Sequence, residues 1–414
     1  MKVPLTLSHA FGEEFVKLIA QFAVDQKMID SPEELVSPRF LSRSIVPHIK
    51  KLSSLFNREE KEQSDALDPY WKESSNTKNF RLAYFLYFMP SNLYRVAAVW
   101  SELGRLGYRW KAGDKLKGIE FGAGPASGIC GILAGETHTK IDLPTQGNFA
   151  LIEQDKGMLR LGAEWAQVFM QSLNFNEFSL REFHRKIDLP RGFLPPTAPK
   201  FNLWIMSYFL NEFSESPEEM AKKLLEAWKN HLENEGLIIL VEPALKLQSR
   251  RLLAIRKALI AQIEDHPEHD LKILLPCLGH QACGALAAAE DWCHEDVSWW
   301  RPSYFKRIDQ MAGLDRKTLP FSYLVLAKSS RTRDELLPAL KDAKTLHRLV
   351  SPAHSEGQDL EFYLCGQDGK RRARIQPKSQ KNMGAELERG DILENAEYRG
   401  DTNASRITHV KGIK

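Results

Sequence analysis

From Lys117 to Ala327 short apolar runs alternate with longer amphipathic stretches, and this alternation restricts the chain more than any other feature. Lys117–Phe121, Phe149–Glu153, Asn202–Met206, Gly236–Glu242, Leu271–Leu275 and Ser322–Ala327 read as strands. Lys156–Met170, Pro217–Glu233 and Lys246–Ile263 read as helices. Strands joined through helices run parallel, and a parallel sheet is covered on both faces. The expected fold is α/β, with a Rossmann-like doubly wound sheet.

The first strand runs into Glu120-Phe121-Gly122-Ala123-Gly124-Pro125 and then a helix. That is the setting of a cofactor loop, where glycines let a ligand approach the backbone. Gly122, Gly124 and Gly128 miss the dinucleotide spacing by one residue. A class I methyltransferase uses a similar loop for the methionine part of S-adenosylmethionine. It uses an acid at the end of the second strand for the ribose, and Glu153 stands there, with Asp155 next to it. Glu120, Gly122, Gly124 and Glu153 are therefore the cofactor-binding candidates. The plain alternative for Glu153 is a solvated carboxylate at a strand end. No catalytic residue is assigned. Ser207-Tyr208-Phe209-Leu210-Asn211-Glu212 lacks the Pro-Pro sequence of amino-methylating enzymes, so Asn211 and Glu212 either line a substrate pocket or only shape a turn.

The chain has five cysteines, and Cys277, Cys283 and Cys293 lie close together in sequence, with Cys365 downstream. Four thiolates are what an iron–sulfur cluster or a structural zinc requires. Zinc sites favour cysteines paired two to four residues apart. The wider gaps here suit a bulky iron–sulfur cluster held by separate loops better than a single tetrahedral ion. Buried thiols without metal are the remaining possibility. His280 and His294 flank the cysteines as neighbours rather than ligands. Pro276-Cys277 also invites comparison with cytosine-5 RNA methyltransferases, but a metal-bound thiolate cannot attack cytosine.

Residues 1–78 read as a helical region, 79–330 as the methyltransferase-like domain with its cysteine insert, and 331–414 as a basic, β-rich module. Arg58–Thr77 reads as a polar linker, and Met89-Pro90 as a helix interruption. Gln367-Asp368-Gly369 reads as a hairpin turn between Leu360–Cys365 and Arg372–Ile375. Lys370, Arg371, Arg372, Arg374, Lys378 and Lys381 follow one another without an acid between them, a candidate RNA contact or simply a solvated face. Net charge is only +3, so any nucleic-acid contact must come from local patches. No apolar run reaches the ~18 residues of a membrane span. Cysteines without secretory features indicate a reducing, cytoplasmic setting.

The ordered combination of motifs resembles the mitochondrial ribosomal small subunit protein 22 and methyltransferase-like protein 17 family, with its bacterial relatives. The matching residues are Ala83-Tyr84-Phe85-Leu86-Tyr87-Phe88-Met89-Pro90, Phe121–Pro125, Tyr208–Glu212, Val241-Glu242-Pro243, Pro276-Cys277 with Cys283, Asp291-Trp292-Cys293-His294, Leu364-Cys365 before Asp368-Gly369, and Gly390-Asp391. The chain departs from the family at Leu278-Gly279, where Pro-His is expected, and at Gly284-Ala285, where Pro-Leu is common. The resemblance implies a class I methyltransferase fold and a 4Fe-4S cluster on the four cysteines. It also implies an assembly factor that engages the small ribosomal subunit and its 16S-type rRNA; the chain is expected to be a monomer. Active rRNA methyl transfer and a redox-sensing RNA-binding role are the alternatives.

Overall fold

The computed structural model describes residues 9–56, 77–139, 141–266, 268, 270–341, 345–356, 359–376, 387–399, 405–409 and 412–413. It opens with helix α1 (His9–Asp25) and a 3-10 turn (Pro32–Val36). A continuous helical run follows through Pro38–Phe40, a π turn at Leu41–Ile45, and α2 (Val46–Phe56). The polar stretch read as a linker lies outside the described residues, except at Thr77. A second run, Thr77–Ala83, the π turn Tyr84–Phe88 and α3 (Met89–Arg105), leads to the sheet.

Met89-Pro90 does not break this second run, contrary to the sequence reading. Pro90 has no N–H to give to the carbonyl four residues back, on Leu86. That carbonyl instead accepts the buried Tyr304 hydroxyl at 3.0 Å. The π turn immediately before Pro90 is the wider helical geometry that proteins reserve for such irregular places.

Next come β1 (Leu116–Phe121), α4 (Ser127–Glu136), β2 (Gln146–Glu153), α5 (Lys156–Ser172), β3 (Glu177–His184) and β4 (Phe201–Ser207). They are followed by α6 (Pro217–His231), β5 (Leu232–Pro243), α7 (Lys246–Asp265), β6 (Leu271–Leu275), β7 (Glu295–Ser298), α8 (Ser303–Ala312) and β8 (Thr318–Lys328). The strand order is β3-β2-β1-β4-β5-β8-β6, with β7 also pairing to β8. Strands β1 to β5 pair in parallel, and β8 runs against both β5 and β6. This order, with one reversed strand inserted beside the edge, is the class I methyltransferase sheet.

Side chains on each inner strand divide between two apolar layers, as the period of two requires. On β4, Leu203 and Ile205 enter one core while Trp204 and Met206 enter the other. On β5, Ile239 and Val241 oppose Ile238 and Leu240 in the same way. The first layer also contains Phe15, Ile19 and Phe22 of α1 and Ile49 and Leu52 of α2. The N-terminal helices therefore cover the sheet and share its core. Strand β3 was not foreseen. It is a mostly exposed edge strand with Glu177, Arg181 and Glu182 on it, and an edge needs no apolar alternation.

The C-terminal part forms a second, mainly antiparallel sheet. Its strands are β9 (Leu346–Leu349), β10 (His354–Glu356), β11 (Asp359–Gly366), β12 (Gly369–Ile375), β13 (Ile392–Glu394), β14 (Glu397–Arg399), β15 (Ser405–His409) and β16 (Gly412–Ile413). The expected hairpin joins β11 to β12, and Gly369 supplies its left-handed residue at φ +98°. Phe362, Leu364, Ala373, Ile375 and Leu393 make a small core of its own. Buried Arg348 on β9 ties this sheet to the larger body by pairing with Glu102 of α3. No helix among the described residues is long and apolar enough to cross a membrane.

Candidate functional site

Two places collect chemistry, and each is built by loops that the sheet delivers. The first lies at the carboxyl ends of β1, β2 and β4, where open parallel sheets bind ligands. Gly122 and Gly124 have φ of +60° and +50°, a conformation that costs other residues steric strain. A Cβ on Gly122 would come within 2.7 Å of the Phe209 ring. Beside them opens a cavity of about 260 Å³, lined by Gly122, Ile152, Glu153, Arg185, Phe209 and Glu212 among others.

The two acids expected at the cofactor behave differently. Glu120 is buried, and its two oxygens accept the N–H groups of Gly128 (2.8 Å) and Ile129 (2.9 Å) at the start of α4. It shapes the loop by capping the helix. Burial pushes its carboxyl up to about 8 against those two bonds. Glu153 lines the cavity, accepting from Gly124 at 2.9 Å and from Asp155 at 2.9 Å. Its carboxyl is also raised, chiefly by burial. Asp155 caps α5 through the Met158 N–H and pairs with Arg81.

Sequence reasoning missed the part played by Glu242. Buried at the end of β5, it accepts the N–H groups of Phe209 (3.2 Å), Leu210 (2.8 Å) and Asn211 (3.2 Å). Arg251 of α7 holds the same loop from the other side through the carbonyls of Leu210 and Glu215. Tyr208, which opens the loop, has φ +59°, and such strain in a non-glycine residue is typical of functional loops. The Tyr208–Glu212 and Val241–Pro243 motifs are thus two halves of one device. The signal available in sequence was an acid ending an otherwise apolar strand.

Burial raises the Glu242 carboxyl to about 7, against its three backbone donors. An acid that binds its proton more tightly folded than unfolded gives stability below its unfolded value and loses it as pH rises through the folded one. Glu242→Gln, of the same shape but without titration, is expected to gain on the wild type by roughly 1–3 kcal/mol between pH 5 and pH 8. Urea unfolding of both proteins across that range checks this, and a constant difference would contradict it.

The second place is the cysteine loop. None of the four thiols is in a disulfide, and all are half-buried. The Cys293 thiol is raised by burial and then by the charges of Cys277, Cys365 and Cys283. Cys365 is pushed up to about 12 by burial and then by Cys277 and Cys283. Cys365, on β11, therefore lies within electrostatic reach of the loop thiols. The contacts around it explain how: Gln281 donates to the Gly366 carbonyl, Lys370 pairs with Asp291, and Gly284 packs against Lys370. Among the described residues, no group of three or more His, Cys, Asp or Glu side chains is arranged to hold a metal ion. His280 and His294 are both held below the usual imidazole range by burial, His294 at about 4.

Two guanidiniums close the cysteine loop from behind. Arg256, 1% exposed on α7, donates to the carbonyls of Gly279 and Gln281. Arg333 donates to those of Leu274, Leu278 and Cys277. Each also has a buried Nε–H without a partner. Every acceptor that these bonds use is a neutral carbonyl.

The family model of the mitochondrial small ribosomal subunit protein Rsm22 matches residues 80–399, which include both places. The chain belongs to that family. No curated protein matches it. Among solved structures, precorrin-6y C5,15-methyltransferase from Geobacter metallireducens is 16% identical, covering 56% of this chain and 88% of its own, with a TM-score of 0.30. The plantazolicin methyltransferase BpumL with SAH is 13% identical, covering 68% and 98%, with a TM-score of 0.31. A putative class I S-adenosylmethionine-dependent methyltransferase from Listeria monocytogenes is 10% identical, covering 78% and 89%, with a TM-score of 0.33.

The basic run of this Rsm22 family member is largely charge-compensated where it is described. Lys370 pairs with Asp291, Arg371 with Asp368, and Arg372 and Arg374 share Glu361 at 2.6 and 2.9 Å. The acids come from other strands and loops, so the acid-free run in sequence hid them. Lys378 and Lys381 lie outside the described residues.

Proposed function

We propose that this Rsm22 family member binds rRNA of the small ribosomal subunit, with a 4Fe-4S cluster on Cys277, Cys283, Cys293 and Cys365. The observation that carries the cluster is a shortage of negative charge, Asp334 being the acid that acts on Arg333. Two guanidiniums, Arg256 and Arg333, face the thiols with only neutral carbonyls as acceptors. Burying cations without a counter-charge costs several kcal/mol each. A thiolate-bound, net anionic group would supply that charge and use the idle Nε–H donors. The donor set fits as well, since soft thiolates select iron–sulfur clusters or zinc. Thiolates on a single zinc stand about 4 Å apart, whereas those on a multi-iron cluster stand wider. The gaps between these cysteines in sequence, wider than the paired spacing of zinc sites, favour the cluster.

When bound, such a cluster supplies a rigid cross-link between the cysteine loop and β11. The chain's own residues do the rest: Arg256 and Arg333 fix the loop, and Lys370 and Gln281 dock the second sheet against it. A reducing cytoplasm keeps the thiols available. The test is anaerobic purification with metal analysis and an absorption spectrum. About four irons per chain and a broad visible absorption band are expected. One zinc per chain, or no metal, would overturn the cluster.

The cavity favours a second reading, methyl transfer to rRNA from S-adenosylmethionine. Gly122 and Gly124 would admit the cofactor to the backbone, Glu153 would accept from its ribose, and Glu120 would hold the loop.

A further inference from the structure

The described basic residues of the hairpin are matched by acids, so free positive charge must be sought elsewhere. It lies on the N-terminal helical run. Between Glu34 and Glu59 the sequence contains no acid, but it contains Arg39, Arg43, Lys50 and Lys51. The buried face of this run is apolar, formed by Leu41, Ile45, Ile49 and Leu52. Arg39, Arg43 and Lys50 are exposed on the opposite side, and none has an ion-pair partner among the described residues. The acids just before them are drawn back onto their own turn: Glu34 accepts the Asp30 N–H and Glu33 accepts from Ser31. Helix α8 packs alongside, adding exposed Lys306, and Arg307 donates to the Val36 carbonyl at 2.6 Å.

We infer that this acid-free helical face, Arg39, Arg43 and Lys50 with Lys306 beside it, is a docking surface for the phosphodiester backbone of RNA. The proposal rests on the small-subunit reading and gives it a location. The argument is charge complementarity. The molecule as a whole is nearly neutral, so a face with several bases and no acid among the described residues is a local field aimed at a polyanion. From Arg39 to Lys50 the helix rises about 16 Å. That matches roughly five phosphate steps along one strand of a duplex. Among the described residues between 32 and 56, Val36 is the one large apolar side chain exposed, too little to favour a protein partner.

The test is fluorescence anisotropy with a labelled RNA hairpin across a salt series, using the full chain. Wild type is compared with the triple variant Arg39→Gln, Arg43→Gln, Lys50→Gln and with a control, Arg372→Gln, Arg374→Gln. All three changed positions of the first variant are exposed, so folding is expected to be unaffected; circular dichroism verifies this. The triple variant is expected to bind at least about tenfold more weakly at 0.1 M salt, with a log–log salt slope lower by about two. The control is expected to change less than about twofold. Equal affinity and slope in the triple variant would overturn this surface while leaving the small-subunit reading intact. Wild type that ignores RNA but binds phosphatidylserine vesicles would overturn both.

Discussion

Replacing Cys365 with serine is expected to cost most of the bound iron and to loosen the C-terminal sheet. Cys365 is the sole ligand candidate on that sheet; the other three sit on the loop after β6. A metal site that joins two parts of a chain contributes its binding energy to their docking. Loss of one ligand is expected to lower thermal stability by several kcal/mol, on the order of 10 °C. Gln281 and Lys370 would still hold the hairpin, so partial docking should survive. Iron analysis and limited proteolysis near residues 330–345 measure the two effects. Full iron with unchanged proteolysis would exclude Cys365 as a ligand, and the bridge between the two sheets would fail with it.

A valine at Gly122 is expected to abolish S-adenosylmethionine binding, by about 100-fold or more, while leaving iron content intact. The left-handed backbone there disfavours a β-branched residue by about 1–2 kcal/mol. The added atoms would also collide with Phe209, 2.7 Å from the Cβ position, and fill the cavity mouth. Calorimetry reads the loss directly. Unchanged binding would place the cofactor elsewhere. Wild type without binding at millimolar concentrations would leave a scaffold with no methyl donor. Because the cysteine loop follows β6 at the edge of the sheet, several strands away from β1, retained iron in this variant separates local damage from misfolding.

Much of the fold is legible in the sequence because its signals are local. Short, nearly continuous apolar runs mark β1, β2, β4, β5, β6 and β8, and the glycines of residues 122–124 announce a sharp turn before anything is known of its neighbours. The hairpin at Gln367–Gly369 is equally short-ranged. Edge strand β3 was hidden because exposure removes the apolar pattern. Pro90 misled because a helix break is the usual consequence of proline, and only Tyr304, from a distant helix, compensates the freed carbonyl.

The sequence by itself determined a doubly wound α/β sheet, a glycine loop at its first strand, and three closely spaced cysteines with a fourth far downstream. Only the tertiary structure decided how those pieces are wired. It turned Glu120 and Glu242 into backbone cradles, brought Cys365 within electrostatic reach of three cysteines far from it in sequence, and set Arg256 and Arg333 against the carbonyls of that loop. It also matched the described bases of the hairpin with acids and, among the described residues, left Arg39, Arg43 and Lys50 without ion-pair partners. The reason is one of range. Backbone conformation and apolar periodicity depend on neighbours along the chain, whereas charge pairing and ligand convergence depend on neighbours in space.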